Sequence, residues 1–426
     1  MRQLYKQCPN IHIDYWAVHT KLFIREDSLE AVVEYLAPRT RRLHIGFKLY
    51  HIGVPPWIIK NLLSHCSSTL EELTLEAGIE RNEQELECNQ VDPRPWVQLK
   101  RLNLLEYPRN RGSPYPAAFW EWLWSRCGAV EQLIVECVPY IRQSLVEGIV
   151  THMPKLNKIR IRKCYDEDTE AILSTTRQGW KEVALREGST YPQFTTHLLK
   201  HSDALERLMF HEVYGPTDKD RVQLLACCSN LRDFSDTHPV SPDGRLTQGF
   251  NAKSFIDQDH GSLKPWMCET SLRILRIRLS GIPRPDVREE NVNEDYPGHG
   301  RVIQKQVYDR LARFTNLETL WLGGSSGLKA YSCLEISLES GLDRISGLKK
   351  LKKLNVSHME TRIGEQEVKW MVEQWPELRV VYGLSCKMLS VQHLHPFQLG
   401  THALHSKTKI HPNACVELCS CHFSFD

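Results

Sequence analysis

The fold class this sequence predicts is α/β, a chain that stacks one short strand and one helix per unit, and three observations predict it. The pattern L-x-x-L-x-L recurs along most of the length, as in Leu317-Glu318-Thr319-Leu320-Trp321-Leu322 and Leu351-Lys352-Lys353-Leu354-Asn355-Val356. Such a pattern sends three apolar side chains to one side while the residues between them face solvent, and one unit alone cannot bury that side. A helical run precedes each copy, for example Val307-Tyr308-Asp309-Arg310-Leu311 before Leu317. The middle apolar positions fall at 43, 73, 102, 133, 159, 183, 208, 234, 275, 320, 354 and 381, mostly 24 to 31 residues apart. A strand, a turn, a helix and a return loop fill roughly 20 to 29 residues.

Taken in order, Ile11-His12-Ile13 is a fragmentary first strand and Arg42-Leu43-His44-Ile45 follows a helical run, Leu29 to Leu36, that ends at Pro38. Full copies follow at Leu70 to Leu75, Leu99 to Leu104, Val130 to Val135 and Leu156 to Ile161, then weaker ones at Trp180 to Leu185, Leu205 to Phe210 and Leu231 to Phe234. The full form returns at Leu272 to Ile277. Two steps, of 41 and 45 residues, are too long for one unit and mark insertions near 236–265 and 281–303. Pro239 to Pro265 is rich in Gly, Asp and Ser, and Gly281 to Gly300 carries Pro283, Pro285 and Pro297, so both are expected to be irregular loops on one rim.

These repeats resemble the irregular leucine-rich-repeat proteins, and in repeat length and insertions they look most like the substrate-recognition half of F-box/leucine-rich-repeat proteins. The resemblance implies a horseshoe-shaped solenoid of about 12 irregular repeats over residues 1–384, with a parallel sheet on the concave face and helices on the convex face. It also implies a short helical docking module ahead of the repeats. None is legible before Ile11, so the apolar first copy, with Tyr15 and Trp16, is expected to need a cover from another chain or segment. Residues 385–426 break the pattern and are expected to be a Cys- and His-containing tail without order. The alternative for the tail is a zinc site from Cys415, Cys419, Cys421, His422 and His411, whose spacing does not match a standard finger.

With 54 basic and 52 acidic side chains the net charge is +2, which gives no bias toward nucleic acid. The uncharged stretch Met388 to Ser406 holds four His and a Pro and makes a poor membrane span, and the N-terminus lacks the apolar core of a signal peptide. Cys66, Cys127, Cys164, Cys227 and Cys228 are read as buried thiols of a reducing compartment, and the expected location is cytoplasmic or nuclear.

No nucleophile elbow, zinc-protease helix or phosphate loop is present; Gly323-Gly324-Ser325-Ser326-Gly327 lacks the Lys and Ser/Thr that would reach phosphate and magnesium. Trp120 and Trp124 share one helix face while Trp122 lies opposite, which suits a packed helix rather than a cofactor box. The expectation is therefore a non-enzymatic protein-recognition module with no cofactor and no metal. Residues flanking each middle position line the inner face: Arg42, Arg101, Lys158, Arg160, Arg207, Arg276 and Lys353 against Glu72, Glu182 and Asp233, or seven minus three, +4. Trp321 and Tyr382 share that face. Arg and aromatic side chains commonly anchor interfaces, so the expected partner is an acidic or phosphorylated protein bound at Arg101, Lys158, Arg160, Arg207, Arg276, Trp321, Lys353 and Tyr382. The resemblance adds a place in a cullin-type ubiquitin ligase as its substrate adaptor. The alternative is a regulator of a small GTPase on the same scaffold, which would want a positioned Arg beside regular repeats.

Overall fold

The computed structural model describes residues 10–15, 40–47, 63–66, 68–77, 95–106, 117–136, 142–162, 166–175, 179–189, 193–214, 216–237, 249–259, 262–282, 299–323, 334–357, 359 and 363–383. The chain forms two compact units, Met1–Ala204 with Val213–Gly215, and Leu205–Glu212 with Pro216–Asp426.

In the first unit the strands are β1 (Asn10–Tyr15), β2 (Arg42–Phe47), β3 (Glu72–Ala77), β4 (Arg101–Glu106), β5 (Gln132–Glu136), β6 (Lys158–Arg162) and β7 (Glu182–Ser189). Each pairs in parallel with the next in sequence order. A parallel neighbour needs a crossover, and helices supply it: α1 (Ala117–Trp124), α2 (Arg142–His152), α3 (Asp166–Thr175) and α4 (Phe194–Leu199). Register puts Leu43, Leu73, Leu102, Leu133, Ile159 and Val183 in one row, all buried, as are the helix residues Phe119, Leu145, Ile172 and Leu198. Trp120 and Trp124 are buried and stacked with centroids 5.1 Å apart, while Trp122 carries the Arg126 guanidinium over its ring.

One backbone device fixes the register. The carbonyl of the residue before each strand accepts two N–H groups from the next repeat: Arg41 from Glu71 and Glu72, Glu71 from Lys100 and Arg101, Lys100 from Glu131 and Gln132. A second device turns each helix into its strand. The carbonyls of Cys66, Trp96, Cys127, Met153 and His201 accept from Leu70, Leu99, Val130, Leu156 and Ala204, and the side chain at each of these turns is buried. Cys228, Cys268, Phe314, Leu348 and Trp375 do the same in the second unit. The buried cysteines are thus fillers of one recurrent niche. Burial pushes the Cys66 thiol up to about 12 and raises those of Cys127 and Cys268 as well, so these thiols stay protonated and unreactive. Cys227 departs from the expectation and is exposed, because the niche belongs to its neighbour Cys228. Cys164 lies outside the described residues.

The second unit repeats the plan with β8 (Arg207–Tyr214), β9 (Asp233–Thr237), β13 (Ile274–Ile277), β15 (Thr319–Trp321), β16 (Lys353–Asn355) and β17 (Val380–Tyr382), paired in parallel in that order. Its helices are α5 (Asp218–Cys227), α6 (Ala252–Ile256), α7 (His299–Ala312) and α8 (Glu365–Gln374), with a 3₁₀ turn at Leu342–Ile345. Thr217 caps α5: its hydroxyl accepts from the Asp220 N–H while the Asp220 carboxylate accepts from the Thr217 N–H. Gly383, at φ +91°, leaves β17 so close to the Ser357 backbone that any side chain there would collide.

Residues 249–265 are not the open loop that their Gly, Asp and Ser content suggests. They contain β10 (Phe250–Asn251), α6 and the antiparallel pair β11 (Gln258–Asp259) and β12 (Ser262–Leu263), and β10 pairs with β14 (Leu279–Ser280). The reason is a set of apolar anchors too sparse to show a period: Phe250, Phe255, Ile256 and Trp266 are buried, with Phe255 edge-on to both aromatic neighbours. Arg310 of α7 then clamps the insertion. It is 0% exposed, donates to the carbonyls of Lys264 (2.6 Å) and Ile256 (2.6 Å) and to Glu269 (3.0 Å), and lies 4.3 Å over the Trp266 ring. Helix α7 starts at His299, inside the second expected insertion. Residues 238–248 and 283–298, and the whole tail 385–426 with its His and Cys, lie outside the described residues.

Candidate protein-recognition face

Side chains alternate across each strand, so the residues on either side of a buried middle position point away from the helices and form an outward face in each unit. In the first unit, register aligns Arg42, Glu72, Arg101, Gln132, Lys158 and Glu182. Strand neighbours about 4.8 Å apart bring charges of opposite sign together, and the face closes on itself. Glu72 Oε2 lies 3.6 Å from Arg42 Nε and 3.3 Å from Arg101 Nη1, and Arg101 Nε donates to Gln132. Asn103 donates to Glu72 and Thr74 from the next row. Arg160 Nε donates to Glu182 at 2.7 Å, and Arg162 bridges Glu136 (2.6 Å) and Glu187 (2.9 Å). Lys158 makes no ion pair among the described residues.

The second unit begins alike and ends differently. Asp233 takes Arg207 at 3.4 Å and Arg276 at 3.8 Å, and Arg276 also donates to Ser235. Arg276 then covers Trp321, with its guanidinium carbon 5.3 Å from the ring centroid. From there the same row continues through Asn355 to Tyr382, and the row beside it runs Ile274, Thr319, Lys353, Val380. Ile274, Thr319, Trp321, Val380 and Tyr382 are each half-buried, so between Arg276 and Tyr382 the face is neutral and partly aromatic, with Lys353 as its exposed charge.

Of the residues expected to bind, Arg101, Lys158 and Arg160 therefore share the first unit's face, and Arg207, Arg276, Trp321, Lys353 and Tyr382 share the second's. The count of +4 stands, but most of it is engaged within the sheet: five of the seven cations sit on Glu72, Glu182 or Asp233. Sequence reading counted those carboxylates as opposing charge without seeing them as partners. It also missed the set of Glu136 and Arg162, one row further along the strands, with Glu187 just past that row, which is visible only when the repeats are aligned residue by residue. Among the described residues no three His, Cys, Asp or Glu side chains converge as metal ligands, and no helix is long and apolar enough to cross a membrane.

No protein-family model matches the chain, and no curated protein does. Solved structures with a similar arrangement include the complex of Rad7 and Elc1 from yeast, at 12% identity and a TM-score of 0.37, covering 75% of this chain and 80% of that one. Another is the Toll–Spatzle complex of Drosophila, at 12% identity and a TM-score of 0.33, covering 84% of this chain and 52% of that one. Likenesses this distant assign neither partner nor activity.

Proposed function

We infer that the chain is a non-enzymatic leucine-rich-repeat horseshoe of about 12 repeats that recognises a protein partner, with the segment of face from Arg276 to Tyr382 as its anchor. One observation carries the reading: Trp321 is held half-exposed under Arg276, in register with Asn355 and Tyr382, where the neighbouring row offers Ile274, Thr319 and Val380. Aromatic and Arg side chains that are already ordered lose little entropy on binding, and such residues dominate measured interface energies. Arginines engaged with Glu72, Glu182 and Asp233 are a weaker source of affinity, since a ligand must first compete with the existing pairs. The resemblance of the repeats to those of F-box proteins extends the reading to the substrate-recognition part of a cullin-type ubiquitin ligase.

The test is affinity purification of the tagged full chain from cells, with wild type compared with Trp321→Ala plus Tyr382→Ala. Proteins recovered with wild type and depleted at least about tenfold with the variant, the loss expected for a change of 1.4 kcal/mol or more, support the anchor. Ligase subunits retained by wild type and variant alike support the adaptor role. Identical recovery of every protein would overturn the face as the binding site.

A further inference from the structure

Away from that face, the turns leading into the last strands of the second unit collect charge of one sign. The carbonyl of Arg273 accepts from Glu318, that of Glu318 from Lys352, and that of Lys352 from Arg379, which sets these four residues side by side along the rim. The turn before β16 adds Lys349 and Lys350, and Lys353 stands at the first outward position. Against these six cations the carboxylates within ion-pair reach are Glu318 and Glu377, six minus two or +4, and both converge on Lys352, at 2.7 Å and 3.9 Å. Lys349 Nζ and Lys350 Nζ donate to neutral oxygens, of Gln374 (2.9 Å) and Asn316 (2.6 Å). Lys353 and Arg379 are exposed and make no ion pair among the described residues. At the positions that match Arg273, Glu318, Lys352 and Arg379, the first unit runs Arg41, Glu71, Lys100, Glu131, Asn157 and Lys181, three cations to two carboxylates.

We propose that this rim of the second unit is a docking site for a carboxylate-rich segment of a partner protein. Glu318 reports the local field: its carboxyl is held below the usual range first by the hydrogen bond from Lys352, then by the charges of Lys352, Arg273 and Lys350. Lysine ammonium groups are compact, mobile point charges without the planar fork that fixes a single phosphate, so a loose row of them suits a flexible run of Asp and Glu. A polyanionic duplex fits less well, since the whole chain carries only +2. Lys353 also flanks Asn355, between Trp321 and Tyr382 in register, so an acidic segment at the rim leads onto the aromatic face.

Apart from Lys353, which stands on both, the rim uses residues other than those of the proposed anchor, and the variants at Arg379 and at Trp321 with Tyr382 separate the two. Fluorescence anisotropy of the full chain with a labelled 12-residue peptide of Asp, Glu and Ser should show binding that weakens as salt rises from 50 to 300 mM, as screening shortens to a few ångströms. Lys349→Glu with Lys350→Glu and Lys353→Glu should lower the affinity about tenfold or more at 50 mM, each reversal turning an attraction into a repulsion. Arg379→Glu, which breaks no described side-chain bond, should lower it about threefold by the same logic. Trp321→Ala plus Tyr382→Ala should leave peptide affinity within about twofold, whatever it does to partner recovery. Undetectable binding by wild type, affinity unchanged in both charge-reversal variants, or a single-stranded oligonucleotide of equal charge bound as tightly as the peptide would each overturn the proposal.

Discussion

The two units handle charge in opposite ways. In the first, ion pairs form across strands on the outward face, as Arg42, Glu72 and Arg101 do, the strand rows beneath are aliphatic, and the buried Arg126 on the helix side donates to the Trp122 carbonyl. In the second, charge enters the strand rows beneath as well. Asp236 occupies the row that Phe210 and Ile277 fill on neighbouring strands, is 2% exposed, and pairs with Arg221 of α5, itself 4% exposed and bonded to Asp218. Arg310 is buried outright. The difference teaches that a repeat stack tolerates surface ion pairs almost anywhere, whereas an interruption of the repeat is held by a few buried charges that cannot be lost singly. Removing one partner of a buried pair leaves an uncompensated charge and typically costs about 3–5 kcal/mol.

The largest effect is therefore expected at the interruption. Arg310→Met keeps much of the volume but strips the donors from the carbonyls of Ile256 and Lys264 and from Glu269. It should destabilise the second unit by about 3–5 kcal/mol in denaturant titration. Asp236→Ala should lose a similar amount, because Arg221 is left buried with Asp218 as its remaining carboxylate. A loss below about 1 kcal/mol for both would erase the contrast between the units.

A smaller effect distinguishes the units by pH. His201 fills in the first unit the turn niche that Met153, Cys228 or Phe314 fills elsewhere, 6% exposed and edge-on to Trp180. Desolvation lowers its pKa, with Lys200 and His197 adding repulsion and a hydrogen bond with the Leu173 backbone opposing. The unfolded chain then binds the proton more readily than the folded one, so stability is full above the ordinary histidine range and falls as pH drops through it toward the lowered value. Thermal midpoints measured from pH 7.5 to 5 should decline more steeply for wild type than for His201→Met. Equal slopes would show that the niche does not exclude the charged ring.

How much of this was legible follows from where the information sits. Repeats such as Leu99 to Leu104 announce themselves because every apolar position of the strand is filled, and their register then follows, since a one-residue slip would turn all of them outward. The niche residues were harder to see: Cys66, Trp96, Met153 and His201 share a place but no side-chain chemistry, so only their position three or four residues before the first Leu could have revealed them. The clamp at Arg310 had no local signal, because its acceptors lie at Ile256, Lys264 and Glu269, more than 40 residues upstream. The candidate face was legible as a set of residues and illegible as chemistry. Whether Arg101 is free or engaged depends on the residue 29 positions earlier on the adjoining strand.

The smallest effect belongs to the surface ladder, and it bears on the contrast directly. Arg101 is 46% exposed, and its contact with Glu72 at 3.3 Å competes with water, salt and the entropy of a long side chain. Glu72 keeps Arg42 and Asn103 when Arg101 is removed, so no buried charge is orphaned. A double-mutant cycle of Arg101→Ala and Glu72→Gln should return a coupling of about 0.5 kcal/mol or less, and Arg101→Ala alone should shift stability by under about 1 kcal/mol. Raising the salt to 0.5 M should shrink the coupling further, since most of it is screened Coulomb attraction. A coupling above about 1.5 kcal/mol would mean that the first unit depends on its exposed ladder as the second does on Arg310, and that surface pairs between repeats help to hold the stack together.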